Sequence, residues 1–282
     1  METKEKLIDQ LLDLAFAEDI GDGDHTTLST IPADAMGRSR LIIKEEGILA
    51  GVREAEKVLH KVDPSIKMTI LIEDGAEVKP GDIAFTAEGP VRSLLIAERT
   101  MLNIMQRMSG VATMTAKYQN ELKGLKTKVL DTRKTTPGMR ILEKEAVKIG
   151  GGTNHRIGLF DMILIKDNHI DFAGGIEKAI ERARQYCKEN GKNLKIEVEV
   201  RSLDDIDRVM KVGGVDRIMF DNFTPELTRE AVKKVGDSME TESSGGITLE
   251  NLRQYGEAGV DFISVGALTH SVKGLDMSFK AY

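Results

Sequence analysis

The sequence predicts an α/β protein built in two parts. From residue 127 onward, short runs rich in Val and Ile alternate with helical segments, the pattern of parallel βα units. Before about residue 100, helices mix with strands punctuated by glycine, an α+β pattern. The 282 residues, 40% hydrophobic and 30% charged, suffice for a core and a solvated surface, which excludes the disordered and fibrous classes. That length allows one large domain or two ordinary ones.

Charge and composition narrow the partners. A net charge of −6 repels a polyphosphate backbone, so no general nucleic-acid binding is expected. No apolar run approaches the ~18 residues of a membrane span, so no membrane partner is expected. The one cysteine, Cys187, excludes an internal disulfide and a cysteine-based zinc cage, which predicts a reducing, cytoplasmic location.

Residues 4–18 place Ile8, Leu11, Leu12, Ala15 and Phe16 at helical spacing, without the continuous apolar stretch of a signal peptide. The following DIGDGDHTT lacks the glycine and glutamate of a calcium loop. An alternating stretch, RLIIKEEGILAGV, precedes a helix over 52–62, and Gly75, Pro80, Gly81 and Gly89 then separate short strands. Residues 91–122 form the longest helical stretch, in which Met101, Met105 and Met108 predict a core or subunit-interface stripe.

Six β runs follow: KVLD (128–131), MILIK (162–166), KIEVEV (195–200), RIMFD (217–221), SMETE (238–242) and DFISVG (261–266). At or just past their carboxyl ends stand Asp131 to Lys134, Lys166 to His169, Glu199, Asp221 and Asn222, Glu242 to Gly246, and Gly266. In a parallel βα barrel these ends gather on the face where chemistry is done.

The first two loops are dense in cations: Arg133, Lys134, Arg140, Lys148, His155, Arg156 and Lys166. On an acidic protein they predict a local pocket for a small ligand with several negative charges. Ser244-Gly245-Gly246 and Val265-Gly266-Ala267 occupy the last two loops, where barrels commonly hold a phosphate through backbone N–H groups. Glu197 and Glu199 alternate with valines and so leave one face of their strand. With Asp221 they could hold a magnesium ion or grip ribose hydroxyls. The five histidines are scattered, and nothing suggests zinc.

Taken together, AERTMLNIMQRMSGVAT, DTRKTTPGMRILEKEAVKIGGGTNHRIGLFD, LIKDNHI, IEVEV, FDNF, ESSGGI and VGALTHS closely resemble the quinolinate phosphoribosyltransferases. The resemblance runs from GDGDHTT to the end of the chain. It implies an amino-terminal α/β sandwich over residues 1–105, rejoined by about 270–282, and an incomplete, six-stranded α/β barrel over 106–269. It also implies a homodimer, or a hexamer built from such dimers, with an active site completed by the neighbouring subunit. By that resemblance Arg133, His155, Arg156 and Lys166 bind quinolinate, with Arg99 supplied by the neighbour. Lys134, Glu199, Asp221, Ser244, Gly245 and Gly266 contact phosphoribosyl pyrophosphate, and Glu199 and Asp221 hold magnesium. Lys134, Lys166, Glu199 and Asp221 are the expected catalytic set. The implied reaction joins the two compounds with loss of carbon dioxide in the synthesis of NAD. Two rivals are a paralogue using another nitrogen heterocycle and a non-catalytic sensor of the sugar pyrophosphate. A third, a Schiff-base lyase using Lys166, would be trapped by borohydride.

Overall fold

The computed structural model describes residues 4–282. In chain order the elements are α1 (Lys4–Ile20), α2 (His25–Thr30), β1 (Met36–Ile43), β2 (Gly47–Ile48), α3 (Val52–Val62), β3 (Lys67–Ile70), β4 (Glu77–Val78), β5 (Ile83–Pro90) and α4 (Val91–Glu121). Then come β6 (Lys128–Leu130), α5 (Arg140–Ile149), β7 (Ile163–Ile165), α6 (Asp167–Ala173), α7 (Ile176–Glu189), β8 (Ile196–Val200), α8 (Leu203–Val212), β9 (Arg217–Asp221) and α9 (Pro225–Val235). The chain closes with β10 (Glu240–Ser244), α10 (Leu252–Glu257), β11 (Phe262–Ser264), α11 (Ala267–His270) and β12 (Met277–Ala281). Among the described residues no helix is long and apolar enough to cross a membrane.

The chain divides into two compact units. One comprises the described residues up to Ala116, with Thr135–Gly151 and Leu268–Tyr282; the other comprises Lys117–Lys134 and Gly152–Ala267. The first holds an antiparallel sheet ordered β12-β1-β5-β3. Met101, Met105 and Met108 are fully buried, so the methionine stripe of α4 is core. Asp24 caps α2, its Oδ1 accepting the Thr27 N–H at 3.0 Å, which gives the GDGDHTT segment a local role as a helix start.

Three distant segments of this unit meet at one ion pair. Arg107 on α4 donates from Nε to Glu143 Oε1 at 2.9 Å, and Glu143, on α5, is fully buried. The same guanidinium donates to the carbonyls of Thr269 and Val272, while Glu143 Oε2 accepts the Thr136 N–H at 3.1 Å. Gly150 ends α5 against α4: a Cβ there would overlap the Ala112 carbonyl and stand 2.8 Å from Thr115 Cβ. At this glycine the triplet 150–152 serves close packing.

The second unit is a parallel sheet ordered β6-β11-β10-β9-β8-β7. That order is the chain order bent into a ring and left open between β6 and β7, an incomplete six-stranded α/β barrel. On the open side of β6, Leu130 forms an isolated parallel bridge with Thr153. The strand expected over 238–242 lies two residues later, at Glu240–Ser244. Ser238 is held in the turn after α9, its hydroxyl donating to the Val235 carbonyl at 2.6 Å, and the ladder with β9 carries the strand through Ser244, opposite Asp221.

Candidate active site

Residues in register on parallel strands share a face. Glu197 pairs with Arg217 and Arg217 with Glu240; Glu199 pairs with Met219 and Met219 with Glu242. Glu197 and Glu242 are fully buried and Arg217 is 6% exposed, so this face is the barrel interior. Buried charges call for partners, and Arg217 has two. Arg217 reaches Glu240 at 3.0 Å and Glu242 at 3.1 Å, with its guanidinium 4.1 Å from the centre of the Phe262 ring. His155 Nε2 lies 3.1 Å from Glu197 and 3.5 Å from Glu242.

Burial pushes the Glu242 carboxyl up to about 8, with the charge of Glu197 acting in the same direction and His155 and Arg217 opposing. Burial likewise raises Glu197 to about 7. Neither Glu197 oxygen, nor Glu242 Oε1, meets a well-aligned donor among the described residues, so the pair is best satisfied when a proton is shared between them. The His155, Glu197 and Glu242 ligand atoms lie within 4.8 Å of one another, a spacing a metal could use. Arg217 already supplies the positive charge there, and we assign the cluster as an ion-pair network.

Above this interior, at the strand ends, stand the residues expected from the sequence. Lys166 follows β7, and its backbone N–H donates to His169 Nδ1 at 2.9 Å, fixing the start of α6. Its side chain makes an ion pair of 3.1 Å with Glu199, which is only 7% exposed. Asp131, buried at the end of β6, accepts the His155 N–H at 2.8 Å and the Asn154 side chain at 2.6 Å, tying the Thr153–Arg156 turn to that strand. Arg156 donates to the Met162 carbonyl at 3.4 Å. Burial first, and then the charge of Arg133, hold its guanidinium below the ordinary value, so two cations share this place. Arg133 and Lys134 are exposed just past β6.

Asp221, Ser244 and Gly245 are joined through Asn222. Its N–H donates to the Ser244 carbonyl and its amide to Asp221 Oδ2, both at 2.8 Å. Asn222 has φ +56°, the sole described residue other than glycine with positive φ. Gly245, at φ +96°, fits against it: an added Cβ would overlap Asn222 Oδ1 and stand 2.7 Å from its Cγ. Gly266 directly follows β11.

The second unit therefore holds every expected site residue except Arg99. Arg99 is exposed on α4 of the first unit and lines a cavity of about 410 Å³ with Glu18, Asp19, Asn103 and Arg107. Arg140 and Lys148, expected among the loop cations, instead belong to α5 of the first unit; Arg140 Nε donates to Thr135 at 2.9 Å, and Lys148 lies 3.9 Å from Glu145. The sequence reading gave no site role to Arg217 or Asp131. A charge inside a β run of a parallel sheet, as Arg217 is in RIMFD, was the available signal, because such strands are buried on both faces.

Fold and site together define a parallel α/β barrel enzyme whose strand ends carry basic and acidic side chains suited to an anionic small molecule. Family models for the quinolinate phosphoribosyl transferase N-terminal and C-terminal domains match residues 24–109 and 111–280. A tobacco (Nicotiana tabacum) quinolinate phosphoribosyltransferase (decarboxylating) is 44% identical over 96% of this chain and 81% of its own length. A Bacillus subtilis protein described as a probable nicotinate-nucleotide pyrophosphorylase (carboxylating) is 43% identical over 95% of this chain and 91% of its own. The solved structure of the nicotinate-nucleotide pyrophosphorylase from Francisella tularensis has a TM-score of 0.93 and 40% identity, covering 100% of this chain and 98% of that one. The chain belongs to the quinolinate phosphoribosyltransferase family.

Proposed function

We propose that the protein transfers the phosphoribosyl group of phosphoribosyl pyrophosphate to quinolinate, giving nicotinate mononucleotide, pyrophosphate and carbon dioxide in NAD synthesis. The observation that carries this reading is the mixed set of charges at the strand ends, with Lys166 paired to Glu199 at 3.1 Å and the cations Arg156 and Arg133 side by side. A diacid and a sugar pyrophosphate need such a mixed set.

In this reading Arg133, Arg156, Lys166 and the partner's Arg99 take the two ring carboxylates, and His155 lies next to Arg156. The turn of Ser244 and Gly245, with Gly266, offers backbone N–H groups to phosphate. The C1′–oxygen bond to pyrophosphate breaks as the pyridine nitrogen lone pair forms the new bond to C1′. Lys134 stabilises the charge developing on the leaving pyrophosphate. The ring nitrogen is then positive, so the neighbouring carbon can release its carboxylate as carbon dioxide, keep the bonding pair, and take a proton from solvent. No side chain acts as nucleophile; catalysis is positioning and charge stabilisation.

The oxygen donors of Glu199 and Asp221, two carboxylates at adjacent strand ends, fit magnesium, which is usually held by few carboxylates plus substrate phosphates and water. Bound there, it would neutralise pyrophosphate charge. A homodimer that shares its sites through the partner's Arg99, alone or assembled into a hexamer, and a reducing, cytoplasmic location complete the reading. The single Cys187 supports that location.

The test measures carbon dioxide released from carboxyl-labelled quinolinate with and without phosphoribosyl pyrophosphate and magnesium, and, in parallel, pyrophosphate released with nicotinate as the substrate. Release that requires both substrates is the expected result. No release at saturating substrate would overturn the reading, and use of nicotinate in place of quinolinate would move it to a paralogue.

A further inference from the structure

One ring nitrogen of His155 is hydrogen-bonded within the chain and the other faces buried carboxyls. Nδ1 accepts the backbone N–H of Arg156 at 2.7 Å, which leaves the ring proton on Nε2. Nε2 faces the buried carboxyls of Glu197 and Glu242, at 3.1 Å and 3.5 Å, close contacts without hydrogen-bond alignment. His155 is 8% exposed, and its backbone N–H is held by Asp131. Glu242 is in turn held by Arg217, and Arg217 by Glu240. A chain of contacts thus runs from β9 and β10 through the imidazole to the backbone that carries the Arg156 guanidinium.

We infer that Glu242 is a positioning residue: backed by Arg217 and beside Glu197, it holds the His155 ring inward, and the ring fixes the Arg156 backbone and so aims that guanidinium at the anion. His155 then acts on quinolinate through Arg156, and not as a ring N–H donor to it. The inference rests on the quinolinate reading above and gives two residues of that site an indirect role.

Two measurements test it. In the first, Glu242→Ala and Glu242→Gln are compared for the KM of each substrate. The alanine variant removes the contact, whereas glutamine keeps a polar group of the same reach against the ring. The expected result is a rise of about tenfold in the quinolinate KM for alanine, equivalent to about 1.4 kcal/mol. The sugar-pyrophosphate KM stays within about twofold, and glutamine recovers most of the loss. A quinolinate KM unchanged in the alanine variant, or both KM values rising in parallel, overturns the inference.

In the second, the wild-type protein labelled with ¹⁵N-histidine is observed by NMR, which needs no variant to fold. His155 should show an unprotonated Nδ1 and a protonated Nε2, and both should persist when quinolinate is added. A protonated Nδ1, or ring nitrogens that change state on binding, overturns it. Because the substrate-free spectrum is read separately from turnover, failure of the quinolinate reading and failure of this one are distinguishable.

Discussion

Glu143→Gln removes one charge from the first unit while keeping the side chain's volume. The carboxylate it replaces is fully buried and meets Arg107 at 2.8 Å and 2.9 Å. Breaking a buried pair by removing one partner costs about 3–5 kcal/mol, because the other charge stays behind. Arg107 keeps the carbonyls of Thr269 and Val272 and is 22% exposed, which favours the lower end, about 3 kcal/mol or roughly a hundredfold in an opening equilibrium. Hydrogen exchange reads this locally: amides of α5 and β12 should exchange about a hundred times faster, since Glu143 ties α5 to α4 and Arg107 ties α4 to the tail. Replacing both partners with leucine should recover most of the loss. Exchange within about threefold of wild type in Glu143→Gln would refute the claim that this pair joins the three segments.

Raised carboxyl pKa values make stability depend on pH. Glu197 and Glu242 keep a proton to about 7 and about 8 in the folded state, whereas the unfolded chain loses it near 4.5. Folding therefore binds protons, and stability should fall as pH rises from about 5 to about 8, by up to about 1.4 kcal/mol per pH unit for each proton; urea midpoints across that range should fall less steeply in Glu242→Gln. Gly245→Ala should cost about 2 kcal/mol or more from its positive φ and the overlap with Asn222, and should raise the KM for the sugar pyrophosphate. A KM within twofold would dissociate that turn from phosphate binding. Arg133→Ala should lose about a hundredfold or more in kcat/KM for quinolinate with unchanged thermal melting; near-normal turnover would remove Arg133 from the pocket. Inactive Arg99→Ala and Lys166→Ala chains, mixed and shown to form hybrids, should regain activity, and verified hybrids that stay inactive would count against a shared site.

Much of the barrel was legible because its signals are local. Each β run is short, rich in β-branched residues and followed by polar side chains, so the strands and their polar ends could be read from residue order alone. Glu199 and Asp221 were placed on their strands that way. The destination of residues 135–151 was not legible, since the amphipathic pattern of α5 shows that it buries a face without showing against which unit. The Arg107–Glu143 pair spans 36 positions with no local trace. Glu197 looked like a magnesium ligand because a carboxylate inside a strand needs a partner, and residue order does not say that it lies against His155, Glu242 and Arg217.

The first unit has a consequence for synthesis on the ribosome. β1 gains its neighbour β12 only through residues 277–281, paired from Ser39 with Ala281 to Ile43 with Met277. Until those residues leave the exit tunnel, one edge of β1 offers unpaired backbone groups to any other nascent chain. The barrel strands emerge earlier and in order, so they can assemble first, and the amino-terminal half is finished last although it is made first.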